Sequence, residues 1–253
     1  MRFASLGSGS RGNATLIEAG ATCLMLDCGF SIREIERRLA RQGKRAEEIT
    51  AVLVTHEHGD HIRGVGPLAR KFGMPVWMTG GTAQVHQAVT GDVLRVFNPH
   101  ESFTVGDIQV DPFPVPHDAR EPCQFVFGDG ARRLGVLTDT GSPTDYIRRA
   151  LDRCDALLLE CNHDVQMLAA GRYPPALKAR VGGRVGHLSN EQAGTLISGI
   201  DTGSLQHLVA AHLSEKNNTP ALARAALAGA VSCDADWIAV ATQTQGLDWR
   251  EIF

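Results

Sequence analysis

Apolar and polar positions alternate in short blocks along the whole chain, and the blocks switch between the two-residue period of strands and the wider spacing of helices. Ala14–Ala19 and Thr22–Asp27 predict a pair of strands. Ala51–Thr55 is the kind of short apolar run that is typical of a buried strand. Further strands are predicted at Pro75–Thr79, Gln124–Phe127, Leu134–Thr138, Ala156–Glu160, Leu205–Ala211 and Trp237–Ala241.

A capping signature marks the first helix. Ser31 and Glu34 can form a capping box at its start, and apolar residues follow at helical spacing. Gly43 suits the C-terminal end of this helix. Three prolines interrupt the alternation in Ser102–Pro116, which predicts strand pieces on a sheet edge or at a bend. Further helices are predicted at Ile62–Phe72, Thr144–Leu151, Ser189–Ser198 and Pro220–Ala228.

The number of short strands between these helices excludes a simple helical bundle and indicates a mixed α/β protein. The sequence contains no linker, no low-complexity tract and no fixed-period repeat. We therefore expect one domain that spans residues 1–253.

The composition is that of an ordinary globular protein, with 43% hydrophobic and 21% charged residues, and it excludes a disordered or fibrous protein. No apolar window predicts a membrane span, and the N-terminus does not resemble a secretory signal. The six cysteines form no Cys-x-x-Cys pair, so reduced thiols and a cytoplasmic location are expected. The net charge of −3 argues against nucleic-acid binding over the whole surface but is compatible with a local basic patch.

Histidine is the unusual component, since three of the ten histidines lie within one short string, Thr-His-Glu-His-Gly-Asp-His at 55–61. Imidazole nitrogens and carboxylate oxygens suit zinc and similar divalent metals. On a loop, alternate side chains can converge on two neighbouring ions, whereas a helix does not place residues i and i+2 on one face. The alternative is a polar surface turn with chance histidines. Four ligand-type residues so close together favour the metal site: His56, His58, Asp60 and His61.

This string resembles the signature of the metallo-β-lactamase superfamily. Asp-Cys-Gly at 27–29, then His117, Asp139 and His212, follow the order of that superfamily's motifs. The resemblance implies a four-layer αβ/βα sandwich of two mixed β-sheets flanked by helices. It also implies two divalent metal ions, with zinc, manganese and iron all compatible with these ligands.

The ligand assignment follows from the resemblance. His56, His58 and His117 would hold the first metal, Asp60, His61 and His212 the second, and Asp139 would bridge them, while Asp27 would support the metal loop by hydrogen bonds. Each of the last three ligands along the chain has an ordinary alternative when it is considered alone. His117 could be a surface-turn residue, Asp139 a turn or helix N-cap residue, and His212 a histidine at the edge of the core. The ordered set favours the ligand interpretation. Three histidines have no motif partner and are interpreted as ordinary surface or core residues: His86, His100 and His207.

The last third of the chain is similar to the tRNA 3′-processing endonuclease branch and, more closely, to the bacterial YycJ (WalJ) group, which is DNA exonuclease-like. The matching strings are Leu-Glu-Cys-Asn-His-Asp at 159–164, Tyr-Pro-Pro-Ala-Leu-Lys-Ala-Arg at 173–180, Gly-His-Leu-Ser-Asn at 186–190 and His-Leu-Ser at 212–214. Cys161 departs from the group, which carries a small residue there, but a cysteine is small enough to fit. In the tRNA-processing branch, an analogous Glu–His pair assists proton transfer to the leaving oxygen.

Carried over, His187 would be the general acid and Glu160 would orient it, with Asp60 counted among the catalytic residues. His163 is either a phosphate or metal contact or a turn residue after a strand. Lys178 and Arg180 either guide a phosphate backbone or belong to a solvated basic face.

The sequence thus predicts a metal-dependent hydrolase, with a 5′-to-3′ exonuclease that attacks DNA through a metal-bridging hydroxide as the leading hypothesis. The alternatives are hydrolysis of a small phosphodiester, RNA, a thioester or a lactam, and a metal-stabilised binding module without turnover. The Gly-His-Leu-Ser string paired with Glu160 favours a phosphodiester, because carbonyl substrates do not need that acid in the same way. A redox diiron protein of this fold would usually carry glutamate in place of His58.

Overall fold

A computed structural model describes residues 1–253. The fourteen strands are β1 Arg2–Gly7, β2 Ala14–Ala19, β3 Thr22–Leu26, β4 Ala51–Leu53, β5 Val76–Thr79, β6 Leu94–Phe97, β7 Phe103–Val105, β8 Ile108–Pro114, β9 Cys123–Gly128, β10 Arg133–Leu137, β11 Ala156–Glu160, β12 His207–Ala211, β13 Ala239–Val240 and β14 Leu247–Glu251. The nine α-helices are α1 Ile32–Arg41, α2 Gly59–Ile62, α3 Val65–Phe72, α4 Gly80–Val85, α5 Asp145–Leu151, α6 Val165–Ala170, α7 Pro175–Val181, α8 Asn190–Ile197 and α9 Pro220–Val231. Short 3₁₀ turns lie at Ala46–Glu48, Gly91–Val93 and Ala235–Trp237.

The strands form two seven-stranded sheets, in the orders β14-β1-β2-β3-β4-β5-β6 and β13-β12-β11-β10-β9-β8-β7. Both sheets are mixed. In the first, β3 to β6 are parallel and the other neighbours antiparallel. In the second, β10 to β13 are parallel and β7 to β10 antiparallel.

Three apolar clusters hold the layers together. The central cluster lies between the sheets and contains residues such as Phe3, Phe125 and Phe127. A second cluster packs α1 and α3 on the outer face of the first sheet, and a third packs α5, α8 and α9 on the second sheet. The predicted four-layer αβ/βα sandwich is confirmed.

Several local predictions are confirmed with small shifts in boundary. β2 and β3 pair as an antiparallel hairpin with Thr15 opposite Leu26. Only half of the predicted capping box is present at the start of α1: the Ser31 side chain accepts a hydrogen bond from the Glu34 amide, whereas the Glu34 carboxylate pairs with Arg37 and Arg38. Pro112 of β8 lies beyond the last residue that pairs with β7. At this position β8 has a neighbouring strand on one side only, where a residue without an N–H is tolerated.

Other predictions need correction. The predicted helix Ile62–Phe72 is broken by a turn, so that α3 begins only at Val65. Of the predicted strand Trp237–Ala241, only Ala239–Val240 forms a strand, β13, and Trp237 ends the 3₁₀ turn that begins at Ala235. Strands β1, β6 and β14 and helices α4, α6 and α7 were not predicted. None of the helices has the length and apolar content needed to cross a membrane.

Candidate metal centre

The predicted ligands meet at one edge of the two sheets, where parallel strands end. Asp27 directly follows β3 and the string 55–61 follows β4, while Asp139 follows β10, Glu160 ends β11 and His212 follows β12. Because parallel strands end at the same edge, side chains from five distant parts of the sequence converge there.

The string 55–61 is not a loop throughout, which corrects the sequence-based expectation. His56 lies outside any helix or strand and His58 has extended backbone, but Gly59–Ile62 forms the helical turn α2, with His58 as its N-cap residue. Consecutive residues on a helix are rotated by about 100°. Asp60 Oδ2 and His61 Nε2 nevertheless approach to 3.6 Å, and both belong to one group of donor atoms.

The chain passes so close to this helical turn that only glycine fits at position 29. The Cβ of any other residue at Gly29 would lie 1.7 Å from the Asp60 carbonyl oxygen. The turn is held from outside by two backbone hydrogen bonds: the Cys28 amide donates to the His61 carbonyl at 2.7 Å, and the Asn13 amide donates to that of Asp60 at 2.8 Å.

All seven predicted ligands contribute to one cluster of potential metal donors. Within each of four overlapping groups, the donor atoms lie within 4.8 Å of one another. The groups are His56, His58 and His117; Asp60, His61 and His212; His56, His61 and Asp139; and Asp139, Glu160, His187 and His212.

The cluster fits divalent cations. Two of its atoms are buried and make no hydrogen bond, namely His56 Nε2 and His212 Nε2. Leaving such atoms unpaired costs about 1–3 kcal/mol each, a cost that a bound cation removes. Burial lowers the pKa of His56 well below its usual value, so this imidazole is neutral and offers a lone pair. Burial alone would raise the pKa of Asp139, but the neighbouring His212 and His61 hold it well below its usual range, so the carboxylate is charged.

A second layer of hydrogen bonds orients the donors. Asp27 Oδ2 lies 2.7 Å from His61 Nδ1, and Asp27 also accepts hydrogen bonds from the amide and hydroxyl of Thr55. Thr55 Oγ1 lies 2.9 Å from His56 Nδ1. Both contacts engage Nδ1, so Nε2 of His56 and of His61 faces the donor cluster. Metal-binding histidines are commonly oriented in this way, by a hydrogen bond to the other ring nitrogen.

One residue of this second layer, Asn13, was missed by sequence reasoning. Asn13 Nδ2 lies 3.1 Å from His61 Nε2, and the same amide contacts the Asp60 carbonyl. Glu57 faces away from the donors and accepts a hydrogen bond from the Arg120 amide. A Gly/Ser-rich segment before β2 was the only signal for Asn13, and alone it is weak.

Three residues of the site have left-handed backbone, Asp27 with φ 60°, Asp139 with φ 55° and His212 with φ 52°. Each lies just past the end of a parallel strand. Residues other than glycine adopt this conformation at a cost, and such strain concentrates at functional sites. At His212 the position is held by its amide, which donates to Ser8 Oγ at 2.8 Å.

Glu160 and His187 form a pair beside the donors. Glu160 Oε1 lies 2.8 Å from His187 Nδ1, while Oε2 accepts from the Thr140 and Leu188 amides at 2.9 and 3.2 Å. Burial alone would lower the pKa of His187, but the Glu160 carboxylate beside it raises the pKa above its usual value. His187 lines the cavity and its side chain is 22% exposed.

A cavity of about 350 Å³ opens over His187 and over four of the donors: His58, Asp60, Asp139 and His212. Arg180 lines it, and its Nε donates to Asp118 Oδ2 at 2.6 Å. Lys178 does not line it, because its amino group binds the Ala169 carbonyl.

His163 is buried with an unpaired Nδ1 but belongs to none of the donor groups. The three histidines without motif partners also lie outside the donor groups: His86, His100 and His207.

Comparison with known proteins gives the family. Residues 22–212 match the beta-lactamase superfamily domain. The exodeoxyribonuclease YycJ of Bacillus anthracis is 36% identical over 228 residues, which cover 88% of this chain and 86% of YycJ. The exodeoxyribonuclease WalJ of Streptococcus pneumoniae is 35% identical over 228 residues, which cover 88% of this chain and 85% of WalJ. Among solved structures, the metallo-beta-lactamase fold protein YhfI from Bacillus subtilis is 18% identical and aligns with a TM-score of 0.75 over 98% of both chains. The chain therefore belongs to the beta-lactamase superfamily and is a hydrolase of the metallo-β-lactamase fold.

Proposed function

We propose that this protein is a dinuclear-metal phosphodiesterase that removes nucleotides from DNA ends as a 5′-to-3′ exonuclease, an activity suited to DNA repair. The observation that carries the proposal is the Glu160–His187 pair, in which the buried Glu160 holds His187 and His187 lines the cavity beside the donor cluster. Two relatives that match most of the chain are named exodeoxyribonucleases.

The proposed ligands divide into two sets that agree with the donor groups. His56, His58 and His117 would hold the first ion, and Asp60, His61 and His212 the second. Asp139 would bridge the two ions, since it shares donor groups with members of both sets. Zinc, manganese and iron all suit these ligands. Bound divalent cations would lower the pKa of water and polarise a phosphoryl oxygen.

His187 is the proposed general acid. Its Nδ1 is held by Glu160, so the proton at Nε2 is free to move to the departing oxygen of a phosphodiester. The Glu160 carboxylate raises the pKa of His187, which favours the protonated form that an acid needs. Asp60 lines the cavity and remains a proposed catalytic residue as well as a ligand.

The proposed substrate is nucleic acid, and we favour DNA over RNA because of the relatives' names. Arg180 lines the cavity, where its Nε is paired with Asp118, and a phosphate can contact the rest of its guanidinium group. We also propose that residues 1–253 act as one domain. The cytoplasm is the proposed location, since all six cysteines are free thiols.

The test compares end-labelled DNA and RNA of the same sequence, with Mn²⁺ and Zn²⁺ supplied in parallel. We expect stepwise removal of nucleotides from the 5′ end of DNA, and loss of this activity in Asp60→Ala. Thioester and lactam substrates serve as negative controls. Turnover of those substrates without cleavage of nucleic acid would contradict the proposal, and so would a fully active Asp60→Ala variant.

A further inference from the structure

Helix α7 differs from its neighbours in having no buried residue, although it carries apolar side chains. Leu177 and Val181 are four positions apart and so follow one face of this helix. Tyr173 lies four positions before Leu177. These three residues are the only hydrophobic side chains among the thirteen residues that line the cavity over the donors. The apolar face of α7 therefore contacts the contents of the cavity and not the protein core.

Cationic side chains flank this apolar wall. Arg180 lies on the same helix and also lines the cavity. Lys216 Nζ lies 5.5 Å from the centroid of the Tyr173 ring, a cation–π contact. Sites for single-stranded nucleic acid combine an aromatic surface for a base with cations for the backbone in this way.

We infer that the wall formed by Tyr173 and Leu177 binds the terminal base of the strand that is cut, with the base stacked on the Tyr173 ring. The inference rests on the function proposed above and adds the form of the substrate. The terminal base of a duplex is still paired with the opposite strand and stacked on its inner neighbour, and it must leave that pair to enter the cavity beside this ring. The cavity of about 350 Å³ is at the small end of ligand sites. The preferred substrate is therefore a single-stranded or frayed end.

The test uses the metal-loaded full-length protein and single-stranded oligonucleotides whose terminal nucleotide is either normal or abasic, prepared for both ends of the strand. The wild type should remove the normal nucleotide with a kcat/KM about 5- to 150-fold higher, the range of a base stacked on an aromatic residue. Tyr173→Ala should remove most of this preference, whereas Tyr173→Phe should keep it. Tyr146→Ala is the matched control, because Tyr146 is the other tyrosine of the chain and is 42% exposed on α5; it should keep the preference.

A binding measurement gives a second readout that does not depend on turnover. Terminal 2-aminopurine in a strand with a non-hydrolysable last linkage should lose fluorescence on binding to the wild type, and less so on binding to Tyr173→Ala. The inference is overturned if the wild type treats normal and abasic ends alike, or if Tyr173→Ala slows both by the same factor. If the wild type cleaves no DNA at all, the proposed function fails, and unchanged 2-aminopurine fluorescence would then reject the stacking as well.

Discussion

Replacing Glu160 by glutamine should slow cleavage of substrates with poor leaving groups while leaving the metal content unchanged. Glu160 is buried, and its two oxygens contact His187 Nδ1 and the Thr140 and Leu188 amides. Glutamine keeps the shape of the side chain but removes the charge that stabilises a protonated His187.

The magnitude follows from the hydrogen bond of 2.8 Å between Glu160 and His187. A hydrogen bond to a charged group contributes about 1.5–3 kcal/mol, which corresponds to a loss of about 10- to 150-fold in kcat. His187→Ala removes the acid itself, so the expected loss is about 10²- to 10⁴-fold. Because Glu160 acts through His187, the double variant should be no slower than His187→Ala alone.

The assay measures kcat on a diester with an alkyl leaving group and on bis-p-nitrophenyl phosphate, whose leaving group needs little help from an acid. Metal per chain is measured by mass spectrometry for each variant. Equal losses on the two substrates would refute the acid role of His187, and so would additive losses in the double variant. If Glu160→Gln instead loses a metal ion, Glu160 is a ligand. Its position in one of the donor groups is compatible with that role.

Four further outcomes are expected. Asp60→Ala should reduce bound metal from about two ions per chain to one or fewer, because it removes a member of the second proposed ligand set; two retained ions would contradict the assignment. Asp27→Asn should weaken metal affinity about 10- to 100-fold in a chelator competition, because the Asp27 carboxylate orients His61; an unchanged affinity would reject this support. Gly29→Ala should lower the free energy of unfolding by more than about 3 kcal/mol in a denaturant titration, whereas Gly59→Ala, where an added Cβ meets nothing within 4 Å, should change it little; similar values for both would refute the close-approach argument. Chelation of the metals should lower Tm, and stabilisation of about 2.7 kcal/mol should return with free metal at 100 times its Kd; no recovery would show that the cluster does not bind that metal.

Features that depend on a few neighbouring residues could be predicted from the sequence. Ser31, Thr144 and Ser189 each accept a hydrogen bond from the amide three residues later, and helices α1, α5 and α8 start after them. The ordered motifs also identified the strand ends that would meet, because motif order maps directly onto sheet order in this fold.

Features that depend on packing could not be predicted in this way. β1 carries the buried polar residue Ser5 and pairs on both sides, so its pattern does not read as a strand. Gly59–Ile62 is helical because the Cys28 and Asn13 amides bind the carbonyls of His61 and Asp60, contacts between parts of the chain that are far apart in sequence. Lys178 and Arg180 look alike in the sequence, but they lie on different sides of α7, and only Arg180 reaches the cavity.

The absence of buried residues in α7 has a consequence for how this protein can change over time. The donors lie on strand ends within the core, so substitutions there affect folding and chemistry together. Substitutions on a surface helix usually alter stability by no more than about 0.5 kcal/mol. The segment proposed to contact the substrate can therefore vary almost independently of the parts that keep the protein folded, and we expect single mutations in α7 to alter substrate preference without loss of the proposed metal centre.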